Sequence, residues 1–288
     1  MRVIHSVEEM RSFWKAWRRE DVDASVGLVP TMGALHEGHL SLVRASKQSC
    51  ARTVVSIFVN PLQFGPQEDF AHYPRTLDED CRLLEAADVD VVFAPGTGAM
   101  YPSVPETMVD VPDIGSRLDG AFRQRHFRGV ATVVSKLFHI VRPDRAFFGQ
   151  KDAAQVAVLK AMVRDLNYDV DIVICPTMRD ASGLAMSSRN RYLTQNEREQ
   201  AKCLSRALER VQQAVADGAT SVSVLEAILH HELTAGAAVQ VEYAEVVDPD
   251  SLMRVNELLP VTLVAVAARV GTTRLIDNCI VHRREMVS

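Results

Sequence analysis

The sequence predicts an α/β protein in which a doubly wound, Rossmann-like parallel sheet (residues 1–177) precedes a smaller C-terminal α+β domain (residues 178–288). Three observations support it. Short apolar runs, β-branched at 25–31, 53–59, 89–94 and 171–175 and aromatic at 145–148, alternate with stretches of helical period, the pattern of right-handed βαβ units. Beyond Cys175 the order changes to two helices and then three strands, 239–247, 261–270 and 273–281, joined by tight turns. At 288 residues, 47% hydrophobic and 24% charged, the chain is long enough for two cores and too apolar to be disordered.

Taken in order, residues 6–20 space Val7, Met10, Phe13, Trp14 and Trp17 near a 3.6 period, predicting an amphipathic helix with its aromatics in the core. A second helix runs from about His39 to Cys50. Thr76 with Glu79 reads as a capping box opening a helix to Ala87. Residues 95–112, rich in Gly, Pro and Ser, read as a long surface excursion. A buried helix follows at 130–141 and stops at Pro143, and another spans 153–167. Residues 176–180 read as a hinge and 183–191 as a flexible polar loop. Thr194 and Glu197 form a further capping box for a helix to about Ala216, followed by one at 222–233.

Composition narrows the function classes. No apolar run reaches membrane-spanning length, and residues 1–10 lack a signal peptide's basic-then-apolar pattern, so a cytoplasmic protein is expected. The five cysteines are widely spaced with no CxxC pair, which predicts reduced, mostly buried thiols and no zinc site. A formal net charge of −5 argues against a nucleic-acid surface.

The chemistry concentrates in a few turns. In VPTMGALHEGHL, Gly33 and Gly38 follow a strand and precede a helix, where free amides and the helix dipole favour a phosphate. His36 and His39, three apart, share one helical face and can both donate to that anion, one of them protonating a leaving group. Two histidines without a third ligand make a poor metal site. Met32, Ala34, Leu35 and Glu37 complete this candidate nucleotide-phosphate turn. Asn60 and Gln63 lie just past a strand's carboxyl end, where open α/β sheets bind ligands, although the residues alone favour a plain Asn-Pro turn. Arg123, Arg125, His126 and Arg128 form a basic cluster, either a solvated face or a carboxylate or phosphate contact, with Arg123 the candidate. Gly149, Gln150, Lys151 and Asp152 form a second loaded turn, where Lys151 suits phosphate and Asp152 suits ribose hydroxyls or a helix cap. Ser187, Ser188 and Arg189, in GLAMSSRNR, suit a triphosphate.

HxGH at the first strand-to-helix turn resembles the nucleotidyltransferase superfamily signature, and PTMGALHEGH is similar to the pantothenate synthetase family. The likeness continues through VNPLQF, YPRT, HFRGV, RPDRAFFGQKD, GLAMSSRNRYL and TRLIDN. It implies ATP, (R)-pantoate and β-alanine as substrates, a pantoyl adenylate intermediate, magnesium with the ATP, and a homodimer. It also implies pantoate contacts at Gln63 and Gln155 and ATP contacts at the Lys151 turn, Met178 and Met186, MSSR standing where related transferases carry KMSKS. Two departures, Gln150 for a glutamate and Ala154 for a glutamine found in some relatives, leave those side chains without an implied role. His39 is the expected proton donor or phosphate stabiliser, with His36 and Lys151 as its partners. Closure of the second domain over ATP is expected. The rival readings are an aminoacyl-tRNA synthetase-like adenylating enzyme and a nucleotide-binding sensor without turnover.

Overall fold

All five strand runs expected in the first domain form strands, and a sixth joins them. The computed structural model describes residues 1–66, 68–234 and 239–283. Its first sheet holds β1 (Arg2–Ile4), β2 (Val26–Thr31), β3 (Arg52–Ile57), β4 (Val91–Phe93), β5 (Arg145–Gly149) and β6 (Asp171–Cys175). These lie in the order β1-β4-β3-β2-β5-β6, and every pairing is parallel. β1 is too short to show a period, and it forms because its amides find the edge of β4.

The chain first moves outward from β2 through β3 to β4, then returns to β5 on the other side of β2, so the switch point lies between β2 and β5. Right-handed crossovers then place α2 (Glu37–Ser49) and α3 (Leu77–Ala86) on one face, where Leu42, Val43 and Leu84 share a core with Val29, Val55 and Val92. The other face takes α1 (Val7–Glu20) and α6 (His126–Val141), which pack on each other.

Four local expectations need correction here. The aromatics of α1 are only half-buried: Met10 alone is fully buried, while guanidinium groups of Arg2, Arg18 and Arg142, and Arg52 lie over Phe13, Trp14 and Trp17 respectively. Thr76 makes no capping bond to the helix, and its hydroxyl turns instead to Asp80. Residues 95–112 contain a short helix, α4 (Thr97–Met100), with Met100 fully buried. α6 begins at His126 rather than Val130, because Arg125 adopts a left-handed conformation (φ 65°) that sets the helix start there.

By its contacts the chain divides into two units, Met1–Ser116 with Arg123–Gly149 and Val158–Pro176, and Arg117–Phe122 with Gln150–Ala157 and Thr177–Ser288. The second unit packs α8 (Gln195–Ala216) and α9 (Val222–Thr234) on an antiparallel sheet of β7 (Val239–Val247), β8 (Val261–Val270) and β9 (Thr273–His282). The Thr194–Glu197 capping box forms in both directions. The turn from β8 to β9 is tight, but the one from β7 to β8 is not: it is a folded loop in which Asp248 Oδ1 accepts from the Ser251 amide and hydroxyl. α5 (Asp119–Phe122) also belongs to this unit, where Asp119 and Glu242 flank the Arg274 guanidinium in a buried ion cluster. All five cysteines are free, and burial pushes their thiols up, Cys279 to about 12.

Candidate active site

β2 delivers the chain to the switch point at Thr31, whose hydroxyl donates to Ser56 O (2.7 Å) and accepts from Gly33 N (3.2 Å). Gly33 (φ 81°) and Ala34 (φ 51°) then turn the chain through left-handed backbone, and a side chain on Gly33 would stand 2.9 Å from Asp80 Oδ2. Asp80, 1% exposed on α3, accepts from Ala34 N (3.0 Å), Leu35 N (2.8 Å) and the Thr76 hydroxyl (3.3 Å). The expectation of free amides at this turn is therefore corrected: those of Gly33, Ala34 and Leu35 are already bonded within the protein.

His36 caps α2, its Nδ1 accepting from Gly38 N at 3.1 Å, while His39 Nδ1 accepts from His36 N at 3.3 Å. The ring centroids are 4.1 Å apart. Because backbone amides donate to both Nδ1 atoms, each neutral imidazole must carry its hydrogen on Nε2. The pair thus offers side-chain donors where the amides are engaged. Glu37 is exposed and ion-paired with Arg44 rather than turned to this face.

A second cluster forms where β3 ends. Asn60, 1% exposed, uses both ends of its amide internally: Oδ1 accepts from Leu62 N (3.2 Å) and the Tyr101 hydroxyl (2.9 Å), and Nδ2 donates to Gly129 O (3.0 Å) and Gln63 Oε1 (3.1 Å). Through Nδ2 it also holds Gln63. The Gln63 amide Nε2 lies 3.0 Å from Met32 Sδ, which ties this turn to the histidine turn. Gly129 is required here, since a Cβ at that position would lie 2.2 Å from Leu62 O.

Arg123 is not presented to an anion as the basic cluster suggested. It pairs with Glu68 through Nε (2.9 Å) and Nη2 (2.7 Å), and its Nη1 donates to His126 Nε2 at 2.9 Å. His126 in turn donates from Nδ1 to Gln63 O at 2.8 Å, so these charges support the glutamine turn. Burial opposes ionisation of Glu68, but Arg123 outweighs it and holds the carboxyl below its ordinary value.

In the second unit, Lys151 is half-buried with Asp152 Oδ1 3.7 Å away. The turn carrying it is fastened by Asn278 of β9, whose Nδ2 donates to Gln150 O (2.9 Å) and Lys151 O (2.8 Å) and whose Oδ1 accepts from Gln150 Nε2 (2.9 Å). Gln150 thus fixes the turn. Ala154 is buried, and Gln155 is half-buried one residue on. The loop expected to be flexible is a tied hairpin: Met186 N donates to Met178 O (2.9 Å), Arg179 bridges Ala185, and Asp277 holds the Arg179 guanidinium at 2.6 and 3.0 Å. Ser187 caps the 3₁₀ turn Ser188–Tyr192 by accepting from Arg189 N at 3.2 Å. Sequence reasoning missed Asp80, Tyr101 and Asn278, whose partners are 41 to 128 residues away along the chain.

With this geometry in place, comparison with known proteins gives a consistent result. The family model described as pantoate-beta-alanine ligase matches residues 2–280. A pantothenate synthetase of Acidobacterium capsulatum is 58% identical over 254 residues, 88% of this chain and 85% of that protein. The solved pantothenate synthetase of Thermus thermophilus superposes with a TM-score of 0.90 at 41% identity, covering 97% of this chain and 99% of that one. The pantoate-beta-alanine ligase of Francisella tularensis, solved with beta-gamma ATP and beta-alanine, gives 0.80 at 31% identity and covers 97% of each chain.

Proposed function

The chain belongs to the pantoate-beta-alanine ligase family, and on that premise we propose that it joins (R)-pantoate to β-alanine with cleavage of ATP to AMP and pyrophosphate. In the first step a pantoate carboxylate oxygen attacks the α-phosphorus of ATP, forming pantoyl adenylate and expelling pyrophosphate. In the second, the β-alanine amine attacks the acyl carbon, and AMP leaves with the bonding electrons of the acyl–oxygen bond. No enzyme nucleophile is needed: the protein's tasks are to align the reactants and to stabilise charge on the departing groups.

The observation that carries this reading is the reciprocal histidine cap. Two Nε2–H donors at the end of the central strand suit an oxygen-rich leaving group, and their orientation is set before substrate arrives. His39 is the proposed proton donor or phosphate stabiliser and His36 its partner. Gln63 and Gln155 are the proposed pantoate contacts. Lys151, Ser187, Ser188 and Arg189 are the second unit's proposed phosphate ligands. Magnesium enters with ATP as part of the substrate, bound mainly through phosphate oxygens and water. No helix among the described residues is long and apolar enough to cross a membrane, and we place the reaction in the cytoplasm, carried out by a homodimer.

The direct test is product analysis with ¹⁵N-labelled β-alanine, ATP and pantoate. Labelled pantothenate with stoichiometric AMP supports the reading; ADP in place of AMP, or no dependence on pantoate, removes it.

A further inference from the structure

Residues 95–112 read in sequence as a surface excursion, yet α4 ends at a tyrosine that reaches the glutamine turn. Burial pushes the Tyr101 phenol above its ordinary range, so the group keeps its proton and donates it to Asn60 Oδ1 at 2.9 Å. The ring is held by Phe58, with centroids 6.0 Å apart, and by the Lys136 ammonium 5.4 Å from its centre.

Asn60 cannot be reversed. Leu62 N–H, which only donates, meets its oxygen, and Gly129 C=O, which only accepts, meets its nitrogen. Asn60 in turn dictates the orientation of Gln63: Oε1 must face Asn60, which leaves Nε2 at the Met32 thioether. A thioether is a weak acceptor, so Nε2–H readily exchanges that hydrogen bond for a stronger one to a substrate hydroxyl or carboxylate oxygen. The backbone decides which way Asn60 faces, and the phenol decides how firmly it stays. Without the phenol, Asn60 Oδ1 retains only the longer Leu62 contact at 3.2 Å.

We propose that Tyr101 is a positioning residue for pantoate, acting through Asn60 to present the donor end of the Gln63 amide to a substrate oxygen. This rests on the reading of Gln63 as a pantoate contact.

Tyr101→Phe keeps the ring and removes only the hydroxyl. The KM for pantoate should rise about threefold to tenfold, the scale of one buried hydrogen bond, while kcat at saturating pantoate and the KM for ATP stay at wild-type values. In a Gln63→Ala background the same change should add nothing to the pantoate KM, because the chain of contacts ends at Gln63. Equal rises in both KM values, or an undiminished effect in the Gln63→Ala background, would make Tyr101 a merely structural residue and overturn the proposal. If Gln63→Ala raises the pantoate KM but Tyr101→Phe does not, the relay is wrong and the Gln63 assignment stands. If Gln63→Ala itself leaves the pantoate KM unchanged, the assignment fails and the relay with it. Side-chain amide NMR on the wild-type chain gives a check that needs no variant. Pantoate should shift the Gln63 Nε2 hydrogens and leave those of Asn60 in place, and the reverse pattern would overturn the proposal.

Discussion

Asp80→Asn replaces the buried carboxylate under the histidine turn with an amide of nearly the same shape. Asp80 accepts two backbone amides, one on each oxygen, so whichever way the new NH₂ points it opposes a backbone N–H. If it sits at the Oδ2 position, the Thr76 hydroxyl can turn to accept from it, but Ala34 N–H is left without a partner. The loss combines one charge-assisted hydrogen bond with one orphaned buried donor, together about 3–5 kcal/mol. Part of this is offset by about 1 kcal/mol when Ala34 leaves its left-handed conformation. A cavity of about 380 Å³ borders Gly33 and Asp80 and gives the turn room to relax. The net expectation is about 2–4 kcal/mol, or roughly 3–7 °C in Tm for a protein of this size. Calorimetry should show that drop, and the KM for ATP should rise about tenfold or more as His36 and His39 lose their fixed footing. A Tm within about 1 °C of wild type with unchanged KM would refute the idea that Asp80 holds the turn.

Three further expectations follow from the same contacts. His39→Ala should lower kcat by roughly 10²- to 10⁴-fold with little change in Tm, measured by steady-state AMP release; near-normal turnover would take His39 out of the chemistry. Asn278→Ala removes three hydrogen bonds from the Lys151 turn and should raise the KM for ATP about tenfold, with the pantoate KM held, since the turn's carbonyls lose their partner. Glu68 has a folded-state pKa below its ordinary 4.5, so its pairing with Arg123 stabilises above that value and is lost as pH falls through the depressed one. The Tm difference between wild type and Glu68→Gln should therefore be present at neutral pH and vanish in acid, and a difference that grows on acidification would contradict the pairing.

The legible parts of this protein were those written in local pattern. Five parallel strands, the α8 capping box and the histidine turn follow from short β-branched or aromatic runs, a Thr-x-x-Glu spacing and glycines after a strand. What escaped depends on distant pairing. β1 is three residues long and exists only because β4 offers an edge. Asp80 sits in the helix start that Thr76 and Glu79 mark in sequence, but its bonds run to amides 45 and 46 residues earlier. Arg123 shows the same limit in reverse: four basic residues within six positions left a solvated face and an anion contact equally open, and the partner that pairs with Arg123, Glu68, lies 55 residues away. Polar residues state their chemistry in sequence, but their partners are set by the fold.

The most direct test of adenylate formation is exchange of labelled pyrophosphate into ATP without β-alanine. Exchange that appears with pantoate, is absent with each of the amino acids, and falls in parallel with kcat in His39→Ala is the predicted result. Exchange supported by an amino acid instead would favour an aminoacyl-adenylate enzyme, and none with any acid would leave a nucleotide-binding protein without this chemistry.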